Sequence, residues 1–201
     1  MQAVESQTLI LYHSDLRGQW PEAAARSLAR GLPYAKRLEV GAHAARAPAT
    51  LAGIALALRA LREVAGREVS AAELAFPEGG KPHLARSSTA GGPDFSISHS
   101  GHWVGCAAVA HGLVGFDVEL GPGERLTAWA AREAALKACG AGLAEAREVE
   151  LLERGAVCRG ITLHATALDL FAGAAACIMT SAAVGRLEPR ALPLAELFAH
   201  A

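Results

Sequence analysis

Three short apolar runs within residues 95–119 predict three consecutive strands. Residues 95–98 alternate apolar and polar side chains at the two-residue period of a strand with one buried face. Residues 103–110 are almost continuously apolar, which is long enough for a strand but short for a helix. After the turn signal His111-Gly112, residues 113–119 continue as Leu-Val-Gly-Phe-Asp-Val-Glu. We therefore expect a three-stranded unit in the middle of the chain.

Hydrophobic spacing elsewhere predicts further strands and helices around this unit. We predict strands at residues 8–13, 148–152, 157–163 and 175–184, and helices at residues 21–29, 50–64 and 125–138, with a short helix after Pro193. The helix at residues 50–64 is the clearest, because its apolar residues recur at helical spacing and share one face. Between the first two helices, Lys36 and Arg37 begin a segment without a clear period, so we expect irregular structure there as far as Pro48.

Composition limits the classes of protein that fit this pattern. The chain has 201 residues, which allows one domain or two small lobes, and its 52% hydrophobic residues are enough for a sizeable core. A formal net charge of -1 gives no overall field toward nucleic acid or a membrane, so we expect neither as a partner. Any anion site must therefore be built locally.

Cysteine usage and the chain start indicate a cytoplasmic protein. The four cysteines are dispersed without a C-x-x-C pair, which favours buried free thiols over disulfides or zinc ligands. Residues 1–17 lack the basic start and apolar run of a signal peptide. Residues 165–184 are rich in alanine and contain Asp169, so we expect them to lie in the protein core rather than to span a membrane. We expect a cytoplasmic monomer.

Two acids at the end of the third central strand suggest a metal site. Asp117 and Glu119 are two residues apart, so both carboxylates project from one face of the strand, while Phe116 and Val118 face a core. Two adjacent carboxylates repel each other unless a cation lies between them. A hard divalent ion such as Mg²⁺, which prefers oxygen ligands and often shares them with phosphate, fits this pair. The alternative is two ordinary surface acids at a solvated strand end.

Other candidate residues lie on separate segments. Ser98, His99 and Ser100 form a polar cluster where the first central strand ends. On the helix at residues 125–138, the stripe Trp129, Glu133 and Lys137 has a spacing of four. The alternative for Glu133 and Lys137 is a surface ion pair, which contributes only a few tenths of a kcal/mol.

A glycine loop at residues 76–82 carries a single lysine, Lys81. It is not a Walker loop, because the glycine spacing differs and no Ser or Thr follows the lysine. The alternative for Lys81 is a solvated lysine in a turn.

Four segments in this order resemble the 4′-phosphopantetheinyl transferases of the Sfp type. They are Gly80-Lys81-Pro82, FSISHS at residues 95–100, GFDVE at residues 115–119 and WAAREAALK at residues 129–137. The family carries a G-K-P loop, an F-[NS]-[IVL]-S-H-S strand end, a G-[IV]-D-[IV]-E strand and a W-x-x-K-E-[AS]-x-x-K helix. Each motif alone is weak evidence, but four in register over roughly residues 50–143 are specific.

The resemblance implies a fold and a reaction. The fold is α+β, with two similar α+β lobes, here residues 1–102 and 103–201, and a coenzyme cleft between them. The reaction moves the 4′-phosphopantetheine arm of coenzyme A to a serine of an apo acyl- or peptidyl-carrier protein, and it releases adenosine 3′,5′-bisphosphate. Such enzymes serve fatty acid, polyketide or nonribosomal peptide biosynthesis.

The resemblance also implies roles for individual residues. Asp117, Glu119 and Glu133 would bind Mg²⁺, and Glu133 would also take the proton of the carrier serine. The remaining positions would bind coenzyme A: Lys81, His99 and Lys137 at the phosphates that receive the leaving charge, Pro82 in the G-K-P loop, Ser98 at a phosphate oxygen or ribose, and Lys36, Arg37 and Thr50 at the 3′-phosphate. His99 and Lys137 would count as catalytic, because they neutralise the leaving group.

This chain departs from the family pattern at three places. Ala49 stands where the family has an arginine before Thr50, and Arg46 is the nearest substitute. Arg132 replaces the lysine before the helix glutamate and keeps the charge. Only nine residues separate Glu119 from Trp129, where the family has a longer segment that contributes to carrier docking.

Two other functions fit the same residues. One is a non-catalytic homologue that binds coenzyme A or a carrier protein, which the short connection favours and the three retained acids disfavour. The other is an unrelated Mg²⁺-dependent phosphohydrolase built on the same acids.

Overall fold

The computed structural model describes residues 7–42, 45–85 and 91–199, and over these residues the protein is of mixed α+β class. The described helices are α1 (Glu22–Gly31), α2 (Tyr34–Ala42), α3 (Ala47–Ala65) and α4 (Glu124–Ala138). The described strands are β1 (Gln7–Asp15), β2 (Leu74–Ala75), β3 (His83–Leu84), β4 (Asp94–Ser100), β5 (Trp103–Val109), β6 (Val114–Leu120), β7 (Glu150–Leu152), β8 (Gly155–Cys158), β9 (Ile161–Leu168), β10 (Ala174–Thr180) and β11 (Val184–Ala191).

Most strands belong to two sheets. The first has the order β11-β1-β5-β4 and the second has the order β6-β10-β9-β8-β7, while β2 and β3 form a small separate pair. Neighbouring strands are antiparallel except β1 and β11, which pair in parallel from Gln7 opposite Val184 onward. In these orders β4 and β6 are edge strands of different sheets.

The core consists of three apolar layers stacked between helices and sheets. Helices α1 and α3 cover one face of the first sheet, and the layer between them includes Ile54, Leu58, Phe95 and Val104. The other face packs on the second sheet through residues such as Leu9, Leu11, Phe116 and Ile178. Helix α4 covers the outer face of the second sheet through residues such as Leu136, Leu163 and Met179. The order of layers is therefore helix, sheet, sheet, helix.

The structure confirms most of the predicted elements and corrects others. The three central strands, the strand at residues 8–13 and the three longer predicted helices are all present within one to three residues of their expected bounds, and the short helix expected after Pro193 is a single 3-10 turn at Leu194–Glu196. The segment expected to be irregular after Lys36 instead forms α2. This helix is only nine residues long, so too few apolar positions recur to show a clear helical period. A Lys36–Glu39 ion pair of 2.7 Å and packing of Val40 on the core stabilise it.

Two predictions in the last third of the chain were wrong. The strand expected at residues 157–163 is two strands, because Arg159 (φ 51°) and Gly160 (φ 74°) form a two-residue hairpin turn between β8 and β9. Strand β11 was missed, because its charged sequence contains Pro189. Proline is tolerated there since β11 pairs only with β1 and is an edge strand.

The expected boundary between residues 102 and 103 falls in the turn that joins β4 to β5, two strands of one sheet. The late strand β11 also belongs to that sheet. The division into two lobes stays a prediction.

Two further expectations concern thiols and membranes. All four cysteines are free, and only Cys139 is not fully buried. Within residues 7–42, 45–85 and 91–199, no helix is both long and apolar enough to cross a bilayer.

Candidate active site

Side chains, rather than a backbone ladder, join β4 to β6. Every second residue of β4 accepts a hydrogen bond from a backbone N–H of β6: Asp94 from Val114 (2.8 Å), Ser96 from Phe116 (2.9 Å), Ser98 from Val118 (3.4 Å) and Ser100 from Leu120 (3.0 Å). The N–H groups on the edge of β6 are thereby satisfied without backbone pairing. We call this contact the β4–β6 seam.

A glycine brings β6 close to α4. A Cβ atom at Gly115 would lie 1.8 Å from the carbonyl oxygen of Ala134 and 2.5 Å from the backbone nitrogen of Ala138. Any larger residue would push the helix away from the strand, so this position requires glycine. The close approach places the acids at the end of β6 beside Glu133 and Lys137 of α4.

Three carboxylates meet at this junction. Asp117, Glu119 and Glu133 each present an oxygen, and these oxygens all lie within 4.8 Å of one another. Asp117 is buried, with 1% of its surface exposed, while Glu119 and Glu133 are half-buried. The two-residue spacing predicted that Asp117 and Glu119 share one face of the strand, and in the structure that face lies beside Glu133 of α4.

Lys137 pairs with Asp117. Its Nζ lies 2.6 Å from Asp117 Oδ1 and donates a second hydrogen bond of 3.1 Å to Ser98 Oγ. The Ser98 hydroxyl in turn donates to Asp117 Oδ1 at 2.7 Å. Ser98 is buried, so its hydroxyl is committed to the acid and the lysine.

The donor set fits a hard divalent cation. Asp117 Oδ2 is buried and has no hydrogen-bond partner among the described residues. A buried carboxylate oxygen without a donor or a cation is costly, and such a group needs an explanation. Three carboxylate oxygens in one place are ligands that Mg²⁺ and Mn²⁺ prefer. The acids therefore fit the metal that the family resemblance implies.

Crowding of the acids changes the titration of Glu133. Burial and the negative charge of Asp117 raise the pKa of Glu133 to about 7, although Lys137 acts in the opposite direction. Glu133 therefore changes charge near neutral pH in the metal-free protein. A carboxyl group with this pKa can accept a proton at physiological pH.

A basic cavity opens beside this junction. It has a volume of about 240 Å³ and is lined by Lys36, Glu39, Val40, Arg46, Ala47, Thr50 and His99. The Lys36 ammonium pairs with Glu39 and lies 5.3 Å from the centre of the Phe76 ring. Partial burial and the positive charges of Lys137 and Arg46 lower the pKa of His99. We call this cavity the basic pocket.

Of the three residues predicted for the 3′-phosphate, the structure brings Lys36 and Thr50 together in the basic pocket. Arg37 is exposed on the next position of α2, and its Nε donates to the carbonyl oxygen of Leu32. It does not line the basic pocket. Arg46 does, at one turn before Thr50.

A second cavity lies between the glycine loop and the end of α4. It has a volume of about 260 Å³ and is lined by Gly79, Gly80, Lys81, Pro82, Ser96, Ile97, Glu133, Leu136, Lys137, Ala141, Gly142 and Leu143. We call it the loop pocket. Glu133 and Lys137 line it on the side of the acids.

Lys81 has partners inside the protein. Its Nζ lies 2.5 Å from Asp94 Oδ2 and donates to the Val114 carbonyl oxygen at 2.7 Å. The ammonium is mostly buried, and burial lowers the pKa of Lys81 despite the nearby Asp94. Lys81 is therefore neither a solvated turn lysine nor free to move toward a ligand without breaking this pair.

The structure also gives partners to residues whose contacts the sequence did not predict, and Asp94 is among them although the sequence had not suggested it as a candidate. Asp94 anchors Lys81, and Ser100 donates a hydrogen bond of 3.0 Å to Glu119 Oε2. Asp94 and Ser100 belong to the alternating polar positions of β4. That alternation predicted that they share one face of a strand, but it did not predict which residues they contact. Arg132 has a supporting role, because it donates to the carbonyl oxygens of Ala146 and Val149, both at 2.6 Å.

No protein-family model matches the chain, and no curated protein matches it. The resemblance to the Sfp-type transferases therefore rests on the four sequence motifs alone.

Proposed function

We propose that this protein transfers the 4′-phosphopantetheine arm of coenzyme A to a serine of an apo acyl- or peptidyl-carrier protein. The observation that carries the proposal is the meeting of Asp117, Glu119, Glu133 and Lys137. Two of the four family motifs, GFDVE and WAAREAALK, supply these residues, and their arrangement suits a reaction at a pyrophosphate. Two of these residues, Glu133 and Lys137, line the loop pocket, and His99, next to Ser98 on β4, lines the basic pocket.

In this reaction the serine hydroxyl of the carrier attacks the phosphorus that bears the pantetheine arm. A new O–P bond forms, and the bond between that phosphorus and the bridging oxygen breaks. Adenosine 3′,5′-bisphosphate leaves with the bridging oxygen and its electron pair. The proton of the serine hydroxyl needs an acceptor, and the negative charge that builds on the leaving group needs cations.

Glu133 is the proposed proton acceptor. It is half-buried, borders the loop pocket, and has a pKa raised to about 7 in the metal-free protein. A bound cation would lower this pKa, so in the metal-bound protein Glu133 would be ionised and able to accept the proton directly or through a water.

Asp117, Glu119 and Glu133 would hold Mg²⁺. The ion, when bound, supplies positive charge to the pyrophosphate oxygens. Lys137 would keep Asp117 in place and add charge at the same side of the site. His99 and Lys36 would bind phosphate at the basic pocket, with Thr50 and Arg46 beside them.

The finer architecture belongs to the same proposal. We expect two similar α+β lobes with the coenzyme between them, in a monomer that acts in the cytoplasm. The basic pocket suits the 3′-phosphate end of coenzyme A, and the loop pocket suits a less charged portion.

The test is an intact-mass assay of a panel of apo carrier proteins with coenzyme A and Mg²⁺, combined with chromatography of the released nucleotide. We expect at least one carrier to gain the mass of one phosphopantetheine and the bisphosphate to appear in equal amount. Release of the bisphosphate without any carrier would instead indicate a phosphohydrolase. Binding of coenzyme A without release under any condition would indicate the non-catalytic homologue.

A further inference from the structure

Two pairs of residues across the β4–β6 seam have the same geometry. Ser98 donates to Asp117 Oδ1 at 2.7 Å, and Ser100 donates to Glu119 Oε2 at 3.0 Å. In both pairs the acid follows the serine by 19 positions in sequence. Because each strand has a side-chain period of two, the two serines and the two acids lie in register.

Each serine engages one oxygen of its acid. Asp117 Oδ1 receives Ser98 and Lys137, while Asp117 Oδ2 has no partner among the described residues. Glu119 Oε2 receives Ser100, and within the described part of the chain Glu119 Oε1 accepts no hydrogen bond. Each acid is thus held by one oxygen and keeps the other available.

Ser100 is the more informative of the two serines. Its hydroxyl accepts the backbone N–H of Leu120 and donates its single proton to Glu119, so both bonds fix the direction of the O–H group. Glu119 lies near the end of β6, where Leu120 is 43% exposed, and it has more rotatable bonds than Asp117. In the described structure, Ser100 supplies the only hydrogen bond to the Glu119 side chain.

We propose that Ser100 is a positioning residue for the metal centre, which orients the Glu119 carboxylate so that Oε1 faces the other two acids. This inference rests on the metal site of the proposed function. Hydrogen-bond partners of ligating carboxylates have large effects on metal affinity, because they fix the ligand orientation before the ion binds.

Ser96 provides a matched control on the same strand. It accepts the N–H of Phe116 at 2.9 Å, as Ser100 accepts the N–H of Leu120, but its hydroxyl contacts a backbone carbonyl rather than a carboxylate. Replacement of either serine removes one bond of the seam. Only replacement of Ser100 releases a proposed metal ligand.

The experiment measures Mn²⁺ binding by electron paramagnetic resonance for the whole chain and its Ser100→Ala, Ser100→Thr and Ser96→Ala variants, with thermal unfolding in EDTA. We expect Ser100→Ala to weaken Mn²⁺ binding about 10- to 100-fold. Ser100→Thr keeps the hydroxyl and is expected to stay close to wild type. Ser96→Ala is expected to lower the unfolding temperature without changing the Mn²⁺ affinity.

The outcomes separate this inference from the proposed function. Equal Mn²⁺ affinity in wild type and Ser100→Ala, or equal losses in Ser100→Ala and Ser96→Ala, would overturn the positioning role alone. A wild-type protein that binds no Mn²⁺ would overturn the metal centre and the positioning role together. If Ser100→Ala does not fold, Ser100→Thr is compared with Ser100→Val, which has a similar shape and lacks the hydroxyl. Equal affinity in that pair would overturn the inference.

Discussion

Lys137 Nζ lies 2.6 Å from Asp117 Oδ1, across the contact between α4 and β6. The spacing of four along the helix was also compatible with a surface ion pair between Lys137 and Glu133. In the structure Lys137 pairs with Asp117 of β6 instead. One ammonium against three carboxylates leaves two negative charges when Glu133 is ionised. That excess equals the charge of one divalent cation. The charge balance therefore favours the same ligand as Asp117 Oδ2, which has no hydrogen-bond partner within the described parts of the chain.

The first prediction is that Asp117→Asn abolishes Mn²⁺ binding and lowers the transfer rate by at least about 10²-fold, because the buried ligand loses its charge. The amide is nearly isosteric and can still accept from Ser98, so the circular dichroism spectrum should be unchanged. Asp169→Asn, at an exposed acid, is the control and should keep full activity. Metal-dependent transfer at a near wild-type rate in Asp117→Asn would contradict the site.

The second prediction concerns pH. The pKa of Glu133 is raised to about 7 in the folded metal-free protein from a usual value of 4.5. The folded state therefore binds the proton more tightly than the unfolded state. The stabilisation from this proton is full below pH 4.5 and is lost as the pH rises through about 7.

Metal binding must displace that proton, so Mg²⁺ should raise the unfolding temperature more at pH 8 than at pH 6. Thermal unfolding in EDTA and in Mg²⁺ at both values measures the difference. In Glu133→Gln, which cannot titrate, the stability in EDTA should fall less between pH 5 and pH 8. A wild-type protein whose metal response is the same at both pH values would exclude proton competition at Glu133.

The local elements and the acids could be predicted because their signals are local. Asp117 and Glu119 share a face through strand geometry alone, and the period of two from Phe95 to Ser98 predicted β4. The β4–β6 seam could not be predicted, because its bonds join side chains of one strand to N–H groups of another. Polar alternation along β4 indicated an outward face, and only the fold shows that β6 covers it.

The partners of charged residues were beyond prediction for the same reason. Lys81 is adjacent to the glycines of its loop, but its carboxylate, Asp94, comes from β4 and its carbonyl from β6. The resemblance assigned Arg37 to the 3′-phosphate and offered Arg46 only as the nearest substitute for the arginine that the family has before Thr50. Helix α2 was not predicted, because its sequence shows no clear helical period. The helix places Lys36 in the lining of the basic pocket and leaves Arg37 outside it.

The third prediction follows from that difference. Arg46→Ala should weaken coenzyme A binding about tenfold, because Arg46 lines the basic pocket, and should leave dephospho-coenzyme A binding unchanged. Arg37→Ala removes the same charge from the exposed side of α2 and serves as the matched control. Isothermal titration calorimetry with both coenzymes measures the effect. A larger loss in Arg37→Ala than in Arg46→Ala would move the 3′-phosphate site out of this pocket.

The fourth prediction assigns Lys81 a structural contribution. Lys81→Met leaves Asp94 mostly buried without its cation, so the free energy of unfolding should fall by about 3–5 kcal/mol. Adding Asp94→Asn should recover part of the loss, because the unpaired charge is removed. A double-mutant cycle tests this: urea unfolding gives the free energy of unfolding of the wild type, the two single variants and the double variant. A purely coenzyme-binding lysine would instead change affinity and leave stability intact.

The last prediction concerns the short connection between β6 and α4. Leu120, at the end of β6, is 43% exposed, and Trp129, in the second turn of α4, is 38% exposed. Arg125, in the first turn of α4, is also exposed. Carrier proteins present an acidic helix beside the modified serine, so an apolar patch with nearby positive charge suits docking. The patch is small compared with standard interfaces of about 800 Å² per partner, so we expect weak, salt-sensitive binding and service to one or a few carriers.

Arg125→Glu should therefore raise the KM for the carrier and leave coenzyme A affinity unchanged, and Trp129→Ala should act in the same direction. Arg154→Glu is the matched control, because it makes the same charge change in the β7–β8 turn, at the opposite edge of the second sheet from β6. Steady-state kinetics at low and physiological salt measure both effects. If Arg125→Glu and Arg154→Glu raise the KM equally, the carrier responds to net charge rather than to this patch. Efficient modification of many unrelated carriers at physiological salt would place docking on another surface.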